Sequence, residues 1–215
     1  MLKPDLSICD GDFLNGKSVS IHVKNLFTTP TVREEFDAGA KAVDEINEAM
    51  PNARKIIVKG NHDFWLVKHM WANPELTGLL DYNKELGLEG WEVFEYGQSF
   101  EFNKFVFTHG NIARKHSGYS ARGMGERYGC SGMSGHTHRG GSSYFTNYSG
   151  TNAWYENFCL CNFKLSEEWF HEPSPNWQHG FSVIQFFDNY KFHVDQIPIP
   201  EQDKFAYFQG KTYTL

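Results

Sequence analysis

Short apolar runs and one helical repeat alternate along the first part of the chain. Residues 5–9 (DLSIC) are typical of a short buried strand. Residues 55–58 (KIIV) form a continuous apolar run, which is typical of a central strand in a parallel sheet. Between them, apolar residues recur at helical spacing over 31–50, and Thr31 with Glu34 matches a capping box. The pattern predicts a strand, a helix and a second strand.

The rest of the chain is predicted to be mostly strands. Helices are expected over about 64–71 and 120–128, and 74–88 is expected to be helical and capping in role. Strand candidates are 99–103 and 104–108, paired as a hairpin, then 131–134, 142–147, 154–160, 181–187 and 191–197. The segment 166–179, with two prolines, is predicted to be a loop. This order predicts an α/β sandwich, and the length fits a single domain over 1–215.

Composition narrows the class of protein. Charged residues make up 21% and aromatic residues 16% of the chain, which is globular rather than disordered. No apolar run approaches the roughly 20 residues needed to span a bilayer, and the N-terminus lacks the basic-then-apolar pattern of a signal peptide. A cytoplasmic protein without a membrane partner is therefore expected.

The four cysteines, Cys9, Cys130, Cys159 and Cys161, have spacings that fit no zinc ribbon or finger. The chain is also too large to depend on disulfides. Cys159 and Cys161 alternate within the apolar stretch NFCLCNF. One face of a strand is favoured for them over metal binding.

The net charge of −6 gives no general preference for an anionic partner, but one segment differs. Between His109 and Arg139, five cations stand against one acid, Glu126. The cations are Arg114, Lys115, Arg122, Arg127 and Arg139. Such a segment would attract an anionic substrate. A solvated helix face explains it equally well.

Four glycine-containing turns carry His, Asp or Asn directly after predicted strands. They are Gly11-Asp12, Gly60-Asn61-His62-Asp63, Thr108-His109-Gly110 and Gly135-His136-Thr137-His138. In open α/β folds, ligands collect outside the carboxyl ends of the strands, so these turns can converge on one site. Imidazole, carboxylate and amide groups suit manganese, iron, zinc and their neighbours. A two-metal site about 3.5–4 Å across can clamp a phosphate and generate a hydroxide, and Asp12 is the candidate for the bridging carboxylate.

The same residues resemble the calcineurin-like metallophosphoesterase superfamily. Its pattern is D-x-H, G-D-x-x-[DN], G-N-H-[DE], a single His and G-H-x-H, and the chain shows GDFLN, GNHD, THG and GHTH in that order. The stretches SGYSARG, GHTHRGG, FCLC and NWQHGFSV also resemble the small phage- and prophage-encoded branch. The resemblance implies an α/β/β/α sandwich of two mixed β-sheets flanked by helices.

The resemblance also implies a role for each matching residue. Asp12 would bridge both metals, Asn61, His109 and His136 would complete the second metal site, and His138 would bind the first metal. His62 would be the general acid that protonates the leaving oxygen, and Asp63 would orient His62. Two divalent ions are expected, with Mn²⁺ favoured and Fe, Zn, Ni or Mg as alternatives. The substrate would be a phosphodiester or a phosphomonoester, with nucleic acid as one candidate.

One element of the family pattern is missing. No D-x-H precedes Gly11, and in the family that element supplies two ligands of the first metal from the first strand. The chain is therefore expected to lack that strand, either as a shortened form of a complete enzyme or as a natural variant with an incomplete first metal site. A non-catalytic or weakly active domain that binds metal and phosphate is the alternative function.

Overall fold

The computed structural model describes residues 3–25, 27–163, 175–200 and 205–214. The chain divides into two compact units, Met1–Ser99 and Phe100–Leu215. Both units combine strands with helices, so the protein is a mixed α/β protein with several sheets and few helices. The expected α/β class is confirmed. None of the described helices is long and apolar enough to cross a membrane.

The first unit is built on a three-stranded parallel sheet in the order β1-β2-β3. Its elements are β1 (Leu6–Cys9), α1 (Val32–Ala49), β2 (Arg54–Val58), α2 (Asn61–Ala72), α3 (Tyr82–Glu85) and β3 (Glu92–Phe94). Ile56, Ile57 and Val58 of the middle strand are fully buried. A continuous apolar run is expected where both faces of a parallel strand are covered.

Helix α1 confirms the predicted capping box. The Thr31 hydroxyl accepts the Glu34 backbone N–H, and the Glu34 carboxylate accepts the Thr31 N–H at 2.7 Å. The helix buries Phe36 and Val43 in one core with Leu66 of α2. Packing in this core fixes α2 relative to β2. The GNHD sequence runs from the end of β2 into the first turn of α2.

Three features of the first unit differ from the sequence prediction. Helix α2 begins at Asn61 rather than near residue 64, so the end of the GNHD turn is its first helical turn. The stretch 74–88 contains only the short helix α3 and a 3-10 turn over Pro74–Leu76. Gly87, in a left-handed conformation at φ +66°, follows α3 and favours its termination. Strand β3 was not predicted.

The second unit contains a five-stranded mixed sheet in the order β4-β5-β6-β8-β7. Its elements are β4 (Phe100–Phe102), β5 (Phe105–Thr108), α4 (Tyr119–Tyr128), β6 (Gly132–Ser134), β7 (Gly141–Asn147) and β8 (Gly150–Glu156). β5, β6 and β8 pair in parallel, whereas β4 and β7 add antiparallel edges. The predicted hairpin, α4 and β6 are confirmed.

Two antiparallel pairs complete the second unit. They are β9 (Gly180–Phe187) with β10 (Lys191–Pro198), and β11 (Phe205–Phe208) with β12 (Lys211–Thr214). Both strands of the first pair were predicted, although not their pairing, and the strands of the second pair were not predicted. Most of the predicted loop over 166–179 lies outside the described residues.

Strand β8 ends earlier than the sequence pattern predicts. It stops at Glu156, and Phe158 has a left-handed φ of +21°. The Phe158 ring occupies the space where Cβ atoms on Gly140 and Gly180 would lie, at 2.1 and 2.7 Å. The expected strand face for Cys159 and Cys161 is therefore wrong, because both follow the end of β8. Within the part of the chain that the structure describes, this stretch forms a single isolated bridge, from Cys159 to His179.

Candidate metal-binding groups

The Asp12 carboxylate is held at the start of helix α2. Asp12 has a left-handed backbone conformation at φ +51°, and its Oδ1 atom accepts the His62 backbone N–H at 2.8 Å. A non-glycine residue in this conformation costs on the order of 1–3 kcal/mol and is found preferentially at functional sites. The turn after β1 therefore places a nearly buried carboxylate, with its side chain 10% exposed, beside the GNHD turn.

Gly60 makes this close approach possible. A Cβ atom at position 60 would lie 2.1 Å from Asp12 Oδ1 and 2.4 Å from the Asp12 backbone nitrogen. The φ angle of Gly60 is −93°, which other residues adopt readily. Glycine is therefore required here because a larger side chain would collide with Asp12, and not because of the backbone conformation.

The His62 imidazole is fixed on two sides. Its Nδ1 atom lies 2.7 Å from the Asn15 carbonyl oxygen, and its ring stacks on Trp65 at a centroid distance of 4.0 Å. Because a carbonyl can only accept, Nδ1 carries a proton, and Nε2 is the nitrogen whose protonation can change. Nε2 lies 3.9 Å from Asp12 Oδ2. Asp63 was expected to orient the His62 ring. The Asn15 backbone carbonyl is the group that contacts the ring and orients it.

Asp63 has a different set of partners, and it is almost fully buried. Its carboxylate accepts the backbone N–H groups of Gly60 at 2.8 Å, Leu14 at 3.0 Å and Phe13 at 3.3 Å. It also accepts the Tyr82 hydroxyl at 2.9 Å. Asp63 therefore ties the residues after Asp12 to the start of α2, and it positions His62 only through that turn.

Burial raises the pKa of Asp63, and the nearby charge of Asp12 raises it further. Hydrogen bonds from Gly60, Leu14 and Tyr82 oppose this shift. Burial also raises the pKa of Tyr82 well above its ordinary value, and the adjacent Asp63 charge adds to that shift. Tyr82 therefore remains a hydroxyl and keeps donating to Asp63.

Removing the Tyr82 hydroxyl should loosen this turn. We expect Tyr82→Phe to lower the free energy of unfolding by about 1–3 kcal/mol, because one buried carboxylate oxygen loses a donor while the ring keeps its place in the core. Thermal and urea denaturation measure the change. Tyr148→Phe, at a fully exposed position, is the matched control and should stay within about 0.5 kcal/mol of the unchanged protein. Equal effects of the two substitutions would contradict the assignment.

The second unit brings His109 and His136 together. His109 follows β5 and is almost fully buried, and its carbonyl accepts the N–H groups of Gly135 at 3.2 Å and His136 at 3.0 Å. His109 Nε2 and His136 Nδ1 are 3.1 Å apart. Two imidazole nitrogens bound to one ion at about 2.0–2.1 Å would be about 2.9–3.4 Å apart. The pair therefore has the spacing of two ligands on one metal ion.

His138 lies in a different setting within the second unit. Its backbone is left-handed at φ +58°, and its N–H donates to the Gly135 carbonyl at 3.1 Å. One ring nitrogen of His138 and the sulfur atoms of Cys159 and Cys161 all lie within 4.8 Å of one another. Sequence reasoning missed this neighbourhood.

Sequence reasoning also missed Glu156. It is fully buried at the end of β8, and its Oε1 atom accepts the N–H groups of Ser120 at 3.1 Å and Ala121 at 3.0 Å. Its Oε2 atom accepts the Thr137 hydroxyl at 2.7 Å. The carboxylate therefore joins the GHTH turn to the first turn of α4. The signal in the sequence is an acid in an apolar strand.

The cationic segment makes local contacts. Arg122 pairs with Glu126 at 2.9 Å with both side chains exposed, Arg127 donates to the Asn111 side chain at 2.6 Å, and Arg139 donates to the Arg114 carbonyl. Exposed pairs of this kind contribute little to stability. The exposed Arg122–Glu126 pair fits the alternative of a solvated helix face. Attraction of an anionic substrate by this segment stays a prediction.

Comparisons with protein families, with curated proteins and with solved structures found no match. The functional assignment therefore depends on the side chains just described, Asp12 and His62 in the first unit and His109, His136 and His138 in the second.

Proposed function

We propose that the chain is a metal-dependent phosphoesterase that hydrolyses phosphodiester or phosphomonoester bonds. The contact between the Asp12 turn and the GNHD turn carries this proposal, because it brings a carboxylate suited to a metal ion beside a positioned imidazole. Asp12 binds the start of α2, and His62 is held by Asn15 and Trp65. A domain that only bound phosphate would not need an oriented proton donor.

The proposed ligands are those implied by the family pattern. They are Asp12, Asn61, His109, His136 and His138, with two divalent ions and Mn²⁺ favoured over Fe, Zn, Ni or Mg. Bound ions of this kind polarise a phosphate and generate a hydroxide nucleophile near neutral pH. The sandwich architecture of the family belongs to the same proposal, as does nucleic acid as one candidate substrate.

The role of His62 follows from its hydrogen bond. Donation from Nδ1 to the Asn15 carbonyl at 2.7 Å fixes the ring, so Nε2 holds the proton that is transferred to the leaving oxygen. The Asp12 carboxylate lies beside this nitrogen, with Oδ2 at 3.9 Å from Nε2. Asp63 supports both residues by anchoring their turn.

A non-catalytic or weakly active binding domain is the second candidate. The missing D-x-H element favours it, because the first metal of the family would lack two ligands. The same absence predicts that one ion is bound well and a second poorly. Two tightly bound ions per chain, counted after anaerobic loading, would contradict that expectation.

Hydrolysis of bis-p-nitrophenyl phosphate and p-nitrophenyl phosphate tests the enzyme proposal. Metal-stripped protein should be inactive, and added Mn²⁺ should restore activity to the unchanged chain but not to Asp12→Asn. The preferred substrate separates diesterase from monoesterase. Well-folded protein without manganese-dependent hydrolysis would favour the binding domain instead.

A further inference from the structure

The sulfur atoms of Cys159 and Cys161 lie close together. The two residues form no disulfide, and the Cys161 thiol donates a hydrogen bond to Cys159 Sγ at 3.6 Å. Two thiolates bound to one tetrahedral zinc ion, each at about 2.3 Å, would be about 3.8 Å apart. A disulfide requires about 2.05 Å. The pair is therefore spaced as two ligands of one ion.

His138 supplies the third donor. One of its ring nitrogens lies within 4.8 Å of both sulfur atoms, although His138 precedes Cys159 by 21 residues. Its left-handed backbone at φ +58° is uncommon for a residue with a side chain. A conformation of this kind is retained where the surrounding structure determines it, which is frequent at ligand sites.

The segment 178–180 contacts the backbone of all three donor residues. Gln178 donates its N–H to the His138 carbonyl at 2.9 Å and accepts the Cys159 N–H with its own carbonyl at 3.1 Å. Gly180 donates to the Cys159 carbonyl at 3.2 Å. His179 Nε2 lies 2.6 Å from the Cys161 carbonyl oxygen. Backbone hydrogen bonds from this segment therefore link the stretches that carry the three donors.

Aromatic rings lie beside His138 and beside the neighbouring His179. Trp177 meets the His138 ring edge-on at 4.4 Å between centroids, and Phe163 stacks on His179 at 3.8 Å. The three donor residues remain partly exposed. An ion could therefore enter from solvent, and a fourth position is left for water or another ligand.

We propose that Cys159, Cys161 and His138 form a thiolate-imidazole site for a single zinc ion. Thiolates favour zinc over manganese or magnesium, which prefer oxygen ligands. On binding, each thiol releases its proton to solvent and its sulfur bonds the ion, so two thiolates balance the charge of Zn²⁺. The inference does not depend on the proposed phosphoesterase activity, but both proposals use the His138 ring. A zinc ion held here would take His138 from the first metal of the family pattern.

Cobalt substitution tests the proposal without any phosphoester substrate. Reduced, metal-stripped protein is titrated with Co²⁺, and the near-ultraviolet thiolate-to-cobalt charge-transfer band is recorded. The band should form in the unchanged chain, and Zn²⁺ should displace it. Cys159→Ser and Cys161→Ser should each lose the band or weaken Co²⁺ binding at least about 10-fold. Circular dichroism of both variants establishes that they are folded.

Cys130→Ser is the matched control, since Cys130 packs beside the apolar cluster around Trp154 in the same unit. It should keep the band. In parallel, Zn²⁺ should protect two of the four thiols from alkylation in the unchanged chain. A reduced, folded chain with no band, or a band that survives both serine substitutions, would overturn the zinc site. Neither result tests Asp12, Asn61, His109 or His136, which contain no sulfur, so failure of the zinc site can be distinguished from failure of the phosphoesterase proposal.

Discussion

Replacement of His62 by alanine is expected to lower turnover by roughly 10²–10⁴-fold while leaving the metal content unchanged. The imidazole is held by the Asn15 carbonyl and by Trp65, which is the arrangement of a positioned proton donor. Its loss removes protonation of the leaving oxygen but none of the proposed metal ligands. Steady-state kinetics with added Mn²⁺ and elemental analysis of the same sample measure the two quantities.

His136→Ala should have the opposite signature. His136 Nδ1 lies 3.1 Å from His109 Nε2, so the substitution removes one of two nitrogens spaced for a shared ion and should reduce metal content itself. His69→Ala, two turns farther along the same helix as His62, is the control and should change neither quantity. If His62→Ala lost metal and His136→Ala retained it, the two roles would be reversed.

The local elements of this protein could be predicted, and the long-range partners could not. Thr31 and Glu34 signal the start of α1 within four consecutive residues. The tie between Asp63 and Leu14 joins residues 49 positions apart. The partner of His62 is a backbone carbonyl at Asn15, and every residue except the terminal one offers such a group. Sequence reasoning therefore found the residues of the GNHD turn but gave Asp63 the wrong contact.

The surroundings of Cys159 and Cys161 could not be predicted from the sequence either. Alternation in NFCLCNF fits a strand, but the left-handed Phe158 ends the extended structure before Cys159. What makes Cys159 and Cys161 chemically interesting is their nearness to His138, and no spacing rule for zinc motifs covers that separation. The chemistry of these cysteines therefore depends on the fold.

Gly60→Ala is expected to disturb stability and metal binding together. Its Cβ would lie 2.4 Å from the Asp12 backbone nitrogen and 2.1 Å from Oδ1, so either the β2–α2 junction or the Asp12 turn must move. Overpacking of this kind costs about 1–3 kcal/mol. The displaced carboxylate should also bind its ion more weakly, with a loss of at least about 10-fold in metal affinity.

Gly123→Ala is the matched control, because it also adds one methyl group to a glycine with an ordinary backbone conformation. Its Cβ would meet only the Ile112 side chain, at 3.3 Å, and alanine favours the helix by up to about 1 kcal/mol. Thermal denaturation and metal titration of both variants make the comparison. Normal metal affinity in Gly60→Ala would contradict the expected displacement of the Asp12 carboxylate from its ion.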